Sequence, residues 1–160
     1  MEKIYGLLLP GGESTVIGGL SSMNGTLQSM RTMIKDGLPV MGTCAGLILL
    51  AKRTYDKVVG ESKQSLLGTL DVLVERNSYG RQGNSFEADL SIPDLGKKPF
   101  RGVFIRAPSV KEIGPKVEVL AKHAGSIVCV KQGKIIGTAF HPELANDLRM
   151  HDYFLDSITH

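Results

Sequence analysis

The chain has 160 residues, 42% of them hydrophobic and 22% charged, with a formal net charge of +3. That balance belongs to one folded globular domain spanning residues 1–160 and excludes disorder, collagen-like structure and coiled coil. The basic residues are scattered in doublets such as Lys52-Arg53 and Lys97-Lys98. No stripe forms that could track a phosphate backbone, so nucleic acid is not an expected partner.

In chain order the pattern opens on a short strand, Ile4 to Leu9, stopped by Pro10-Gly11-Gly12. Asn24 can cap a helix whose apolar stripe is Leu27, Met30, Met33 and Ile34, closed by Gly37. Pro39-Val40-Met41 reads as a buried strand running into Gly42-Thr43-Cys44-Ala45-Gly46, and a helical stretch, Leu47 to Lys52, follows with basic residues at its end. The second half is strand-rich, with runs at Leu70–Val74, Phe86–Leu90, Val103–Ile105, Val117–Leu120, Ile127–Val130 and Ile135–Phe140. His123-Ala124-Gly125 and Gln132-Gly133 look like hairpin loops. A last helix starts near Asn146 and buries Leu148, Phe154, Leu155 and Ile158. Strand-helix-strand, then a meander, then a helix predicts an α/β domain with a mixed sheet.

Two cysteines, Cys44 and Cys129, cannot build a disulfide framework, and neither stands in a C-x-x-C pair. The apolar run from Ala45 to Ala51 is far below the ~18 residues of a membrane span. Met1-Glu2-Lys3-Ile4-Tyr5 lacks a signal-peptide pattern, so a cytoplasmic protein without membrane contact is expected.

Gly42-Thr43-Cys44-Ala45-Gly46 sits between a predicted strand and a predicted helix. A nucleophile on such a turn needs small neighbours, which Gly42 and Gly46 supply. Helix-start N–H groups there lower a thiol pKa, and the Ala45 N–H would face a developing oxyanion. A buried structural cysteine in a Gly-rich turn fits the same pentapeptide. A base and an orienting group are offered by His141-Pro142-Glu143, since residues i and i+2 at a strand end point the same way. The zinc-deaminase reading of His-x-Glu requires a following Pro-Cys-x-x-Cys, which is absent. Gly12 can add a second oxyanion donor, or Pro10-Gly11-Gly12-Glu13-Ser14 is a plain turn before a helix capped by Ser14 or Thr15. Arg76 and Arg106 suit a substrate carboxylate or, alternatively, surface ion pairs. Cys129 alternates within Ile127-Val128-Cys129-Val130 and reads as core.

Gly42-Thr43-Cys44-Ala45-Gly46 with His141-Pro142-Glu143 resembles the triad of class I glutamine amidotransferases. Four further stretches narrow the match: Leu9 to Thr15, Glu75 to Gln82, Ser85 to Asp89 and Phe104 to Pro108. Together they resemble the glutaminase subunit of pyridoxal 5′-phosphate synthase, the Pdx2/PdxT family. The resemblance implies a three-layer, flavodoxin-like α/β fold with a mixed, mainly parallel central sheet. It implies Cys44 as nucleophile, His141 as general base and acid, and Glu143 as the group orienting the imidazole. Gly12, Glu13, Ser14, Arg76, Ile105 and Arg106 carry over as glutamine-contacting positions, with Gly12 and Ala45 as the oxyanion hole. L-Glutamine is the implied substrate and a (β/α)8-barrel synthase subunit the implied partner; no cofactor and no metal are implied. Family members carry a strand, a Gln-Gly-bearing loop and a helix before the segment that begins here at Tyr5. The fold is therefore expected to lack the family's first strand and helix. Two other readings are a γ-glutamyl hydrolase and a non-catalytic docking or regulatory subunit.

Overall fold

The computed structural model describes residues 3–61, 63–80 and 84–160. Met1-Glu2 and Arg81-Gln82, which figured in the sequence reading, lie outside the described residues. The chain begins with β1 (Leu7–Leu9), α1 (Ser14–Met23), α2 (Thr26–Lys35), β2 (Val40–Thr43), α3 (Ala45–Leu50), β3 (Ala51–Asp56) and β4 (Gly60–Glu61). Then come β5 (Leu70–Glu75), β6 (Ser85–Leu90), β7 (Phe100–Ile105), β8 (Ser109–Ile113), β9 (Glu118–His123), β10 (Ser126–Gln132) and β11 (Ile135–Thr138). The last helix is α4 (Arg149–Thr159).

The main sheet runs β1-β2-β11-β10-β8-β5-β3-β4, with β9 alongside β10, while β6 and β7 pair apart from it as a hairpin. It is mixed, as expected. β1, β2 and β11 are mutually parallel, as are β3 and β5, and the other described pairings are antiparallel. The expected mainly parallel pairing thus holds around Cys44 and gives way beyond it. For β9, β10 and β11 two-residue turns are the reason, because they can join only antiparallel neighbours. Ser126 pairs with His123 across Ala124-Gly125, both at positive φ (46° and 79°) as a type I′ hairpin demands. Gln132 pairs with Ile135 across Gly133-Lys134, where Gly133 alone is at positive φ (58°).

All four residues of β2 are buried, the mark of a parallel strand inside a sheet. α3 is buried along its whole length and packs on β2, β1 and β11. Two glycines permit that closeness. A Cβ on Gly46 would meet the Leu9 carbonyl oxygen at 2.1 Å, and one on Gly42 would meet the Gly46 backbone at 2.6 Å. α2 buries Leu27 and Ile34 as its stripe predicts, and Asn24 Oδ1 accepts from the Thr26 N–H at 3.0 Å.

Several boundaries differ from expectation for physical reasons. β1 has three residues, because only Leu7 to Leu9 find partners on β2 and Ile4 and Tyr5 are exposed. The stretch ending in Lys52 is helical only to Leu50. Ala51 turns extended, and Lys52 and Arg53 lie on β3, where they pair with Asp71 and Glu112. β3, β4 and β8 were not anticipated. β3 carries a bulge between Ala51 and Arg53 that breaks its alternation, and β8 (Ser-Val-Lys-Glu-Ile) buries only Ser109 and Val110. In α4 the core contacts come from Met150 and Phe154, with Ile158 against Gly6, while Leu148 and Leu155 are exposed. Arg149 fixes the start of this helix by pairing with Asp147 and donating to the Leu95, Lys98 and Pro99 carbonyls. Among the described residues, no helix is long and apolar enough to cross a membrane.

Candidate active site

Cys44 stands where β2 ends and α3 begins, at φ 52° and ψ −104°. A non-glycine residue reaches such angles only when its surroundings over-determine them, as at a nucleophile elbow. Here the Cys44 N–H donates to the Thr138 carbonyl at 2.8 Å, and the Cys44 carbonyl accepts the Ile48 N–H at 3.2 Å. Gly42 and Gly46 leave the room the bend needs. Cys44 is 8% exposed, and its Sγ contacts the Ile105 carbonyl at 3.8 Å.

The sequence pointed to a lowered thiol pKa, and the structure reverses that. Burial pushes the Cys44 thiol up from its ordinary value. The Ala45 N–H does favour the thiolate, and the Arg106 charge helps, but neither offsets desolvation, to which the Glu143 charge adds. A six-residue helix has a weak field; burial wins.

His141 and Glu143 are joined at 2.7 Å through Nδ1 and Oε1. The pairing was expected at a strand end, but β11 stops at Thr138 and the two residues sit on a single 3₁₀ turn, Pro142–Leu144, with His141 at its N-cap. Pro142 at the first helical position sets that turn. The His141 N–H donates to the Val103 carbonyl at 2.8 Å, tying the turn to β7. The imidazole is 12% exposed and the carboxylate 42%.

A cavity of about 210 Å³ gathers most of the candidate residues: Gly12, Glu13, Ser14, Cys44, Ala45, Arg76, Ile105, Arg106 and His141. That is smaller than the ~300–1,000 Å³ of sites for drug-sized ligands and suits a small metabolite. Gly12 has φ 147°, and a Cβ there would press Ile17 at 3.1 Å, so only glycine is at ease. Glu13, not Ser14 or Thr15, caps α1, accepting from the Thr15 N–H at 3.2 Å, and it pairs with Arg76 at 3.3 Å. Ser14 is buried and its Oγ accepts from Gln64 Nε2 at 3.4 Å. Glu143 stands behind the imidazole and does not line the cavity. A neighbouring cavity of about 410 Å³ shares Arg76, Asn77 and Arg106.

Three residues of this site escaped the sequence reading. Ile48 and Asn77 line the cavity. Asn77 sits at φ 49°, a conformation for which Asn is enriched, so its place in a turn-like stretch was a usable signal. Gly11 lies against the Cε1 edge of His141, since a Cβ there would meet that atom at 2.5 Å.

Comparison with known proteins fits this geometry. A relative from Nitrosopumilus maritimus, "Pyridoxal 5′-phosphate synthase subunit PdxT", is 49% identical over 158 residues, covering 99% of this chain and 77% of that protein. Its namesake from Thermotoga neapolitana is 54% identical over 159 residues, covering 99% and 81%. A solved structure described as a glutamine amidotransferase superposes with a TM-score of 0.88 at 46% identity, covering 98% of this chain and 80% of that one. A glutamine amidotransferase from Thermotoga maritima, with a TM-score of 0.58 at 15% identity over 95% and 62% of the two chains, shares the fold alone. The model of the SNO glutamine amidotransferase family matches residues 1–160. With a cysteine elbow, a His–Glu pair and relatives this near over almost its whole length, the chain belongs to the SNO glutamine amidotransferase family.

Proposed function

We propose that this chain is the glutaminase subunit of a pyridoxal 5′-phosphate synthase, a single cytoplasmic domain that hydrolyses L-glutamine and delivers ammonia to a (β/α)8-barrel synthase partner. The observation that carries the reading is one small cavity lined by Cys44, His141, the Gly12 and Ala45 backbone and two arginines, with Glu143 bonded to the imidazole. The named relatives support the biosynthetic setting.

In the reaction, His141 takes the Cys44 proton as the sulfur attacks the side-chain amide carbon of glutamine. Because burial holds the thiol neutral, this transfer accompanies attack. The oxyanion that forms is held by the N–H groups of Ala45 and Gly12, each such donor being worth about 10²–10³ in rate. His141 then protonates the departing ammonia, leaving a glutamyl thioester. Water, activated by the same imidazole, cleaves it to glutamate and restores the thiol. Glu143 keeps the imidazole in the tautomer that presents its other nitrogen to the reaction. Arg76 and Arg106 bind the α-carboxylate, and Glu13 the α-ammonium, exchanging its present contact with Arg76 for the substrate.

Glutamate release from L-glutamine, measured with and without the synthase partner and with Cys44→Ala as control, tests this. Cys44-dependent release that rises with the partner is expected. Binding to the partner without any release would instead indicate a docking role, and preference for γ-glutamyl peptides a γ-glutamyl hydrolase.

A further inference from the structure

Glu75, at the end of β5, is 5% exposed, and none of its atoms reaches the cavity that holds Cys44. Its Oε1 accepts from Ser78 Oγ at 2.8 Å and faces Lys57 Nζ at 3.4 Å and Lys111 Nζ at 3.5 Å. Ser78 Oγ is 2.6 Å from Ser109 Oγ on β8, and Ser109 is fully buried. A hydroxyl carries one proton. With the Ser78 proton directed to Glu75, Ser109 donates to Ser78, and the three side chains form one directed chain.

This chain links two segments that matter to the site. Arg76 and Asn77 lie between Glu75 and Ser78, and Ile105 and Arg106 lie just ahead of Ser109; all four line the cavity. The Ser78 N–H donates to the Ala107 carbonyl at 3.1 Å, a second tie between the same segments. Each segment also holds a non-glycine residue at positive φ, Asn77 at 49° and Arg106 at 43°. Such conformations persist only where neighbouring contacts enforce them. A buried carboxylate facing two lysines and bonded to a hydroxyl is a stiff anchor for that purpose, because removing a partner would leave its charge buried and uncompensated.

We infer that Glu75, Ser78 and Ser109 form a positioning clamp that fixes Arg76 relative to Arg106 and so sets the affinity of the site for the α-carboxylate of its substrate. The inference rests on the glutaminase reading above. It assigns the three residues no contact with the reacting atoms; they act through the two arginines.

The test compares Ser78→Ala, Ser78→Thr and Glu75→Gln in the full chain with its synthase partner. L-Glutamine is one substrate and γ-aminobutyramide, which lacks the α-carboxylate, the other. For Ser78→Ala the KM for glutamine should rise about tenfold with kcat kept within about twofold, the pattern of lost binding shared by ground and transition states. Turnover of γ-aminobutyramide should change little, and Ser78→Thr, which keeps the hydroxyl, should restore the glutamine KM. Glu75→Gln should act in the same direction. Equal losses on both substrates, or a fall in kcat at constant KM, would overturn the clamp. Hydrogen exchange at the Ser78 and Arg106 amides is a second arm independent of turnover. It should quicken in Ser78→Ala, and unchanged exchange would count against the clamp. If the wild-type chain releases no Cys44-dependent glutamate, the functional reading fails and the exchange result alone decides.

Discussion

The imidazole of His141 rests on the bare backbone of Gly11: a Cβ built there would lie 2.5 Å from Cε1 and 3.3 Å from Nδ1. The loop after β1 therefore does two jobs, presenting Gly12 to the cavity and leaving room for the Cε1 edge of the ring. Gly11→Ala should displace the imidazole without disturbing the core. Misplacing a reacting group by an ångström costs on the order of 10²-fold in rate. We expect kcat for glutamine hydrolysis to drop by about that factor, with an unchanged melting temperature. Steady-state kinetics beside a thermal melt decide it, and a melt that falls with the rate would point to misfolding instead.

Glu143→Gln removes the charge paired with His141, proposed above to orient it, while keeping the side chain's size. In serine hydrolases the corresponding change costs about 10⁴ in kcat. Here the carboxylate is 42% exposed and partly served by water, so a loss nearer ~10² is expected. Retention of full activity would remove Glu143 from the mechanism.

The Cys44 thiol should behave as a poorly ionised group in the isolated chain. Its rate of alkylation by iodoacetamide should climb with pH and reach its midpoint above the ordinary thiol value, because burial favours the protonated form. Arg106 opposes that shift, so Arg106→Gln should move the midpoint further up. A midpoint that moves down would contradict the assigned electrostatics. Cys129 is fully buried, with its own thiol pushed well up, and should stay unlabelled in Cys44→Ala.

Gly46→Ala is expected to be severe for a different reason. The added carbon would meet the Leu9 carbonyl oxygen at 2.1 Å, backbone against backbone, where no rotamer change brings relief. The loss should be at least about 3 kcal/mol, or roughly 6–12 °C in melting temperature. A fall of under 2 °C in a calorimetric scan, a figure set roughly by the same scaling, would show that α3 can move away from β1.

The site was more legible in the sequence than the sheet that carries it. Cys44 between two glycines and His141 two residues before Glu143 are local patterns whose chemistry demands small neighbours and a close partner, so they survive without coordinates. The electrostatics of Cys44 were not legible, because burial depends on Ile105 and α3 closing over the thiol. The arginines were ambiguous for the same reason, since Arg76 becomes a cavity residue only through the turn anchored by Ser78. In the fold, β9, β10 and β11 announced themselves through hairpin chemistry. β3 and β8 did not: a bulge hides one, and the other exposes Lys111, Glu112 and Ile113. The buried face of α4, expected at Leu148 and Leu155 as well as Phe154, differs because its buried stripe is narrow, at Met150 and Phe154.

The pairing of β2 with β11 has a consequence for how the molecule comes into being. Val40 to Thr43 align with Ile135 to Thr138, and the Cys44 N–H is held by Thr138. Cys44, the proposed nucleophile, thus emerges early from the ribosome, while the strand that shapes its elbow and His141, its proposed base, are made near the end. A partly synthesised chain carries an exposed, ordinary cysteine and no acid–base partner. Long-range parallel pairing of this kind is slow to form. Activity should therefore appear as a late, all-or-none event in synthesis, and a chain stalled before Thr138 is a substrate for oxidation and aggregation before it is an enzyme.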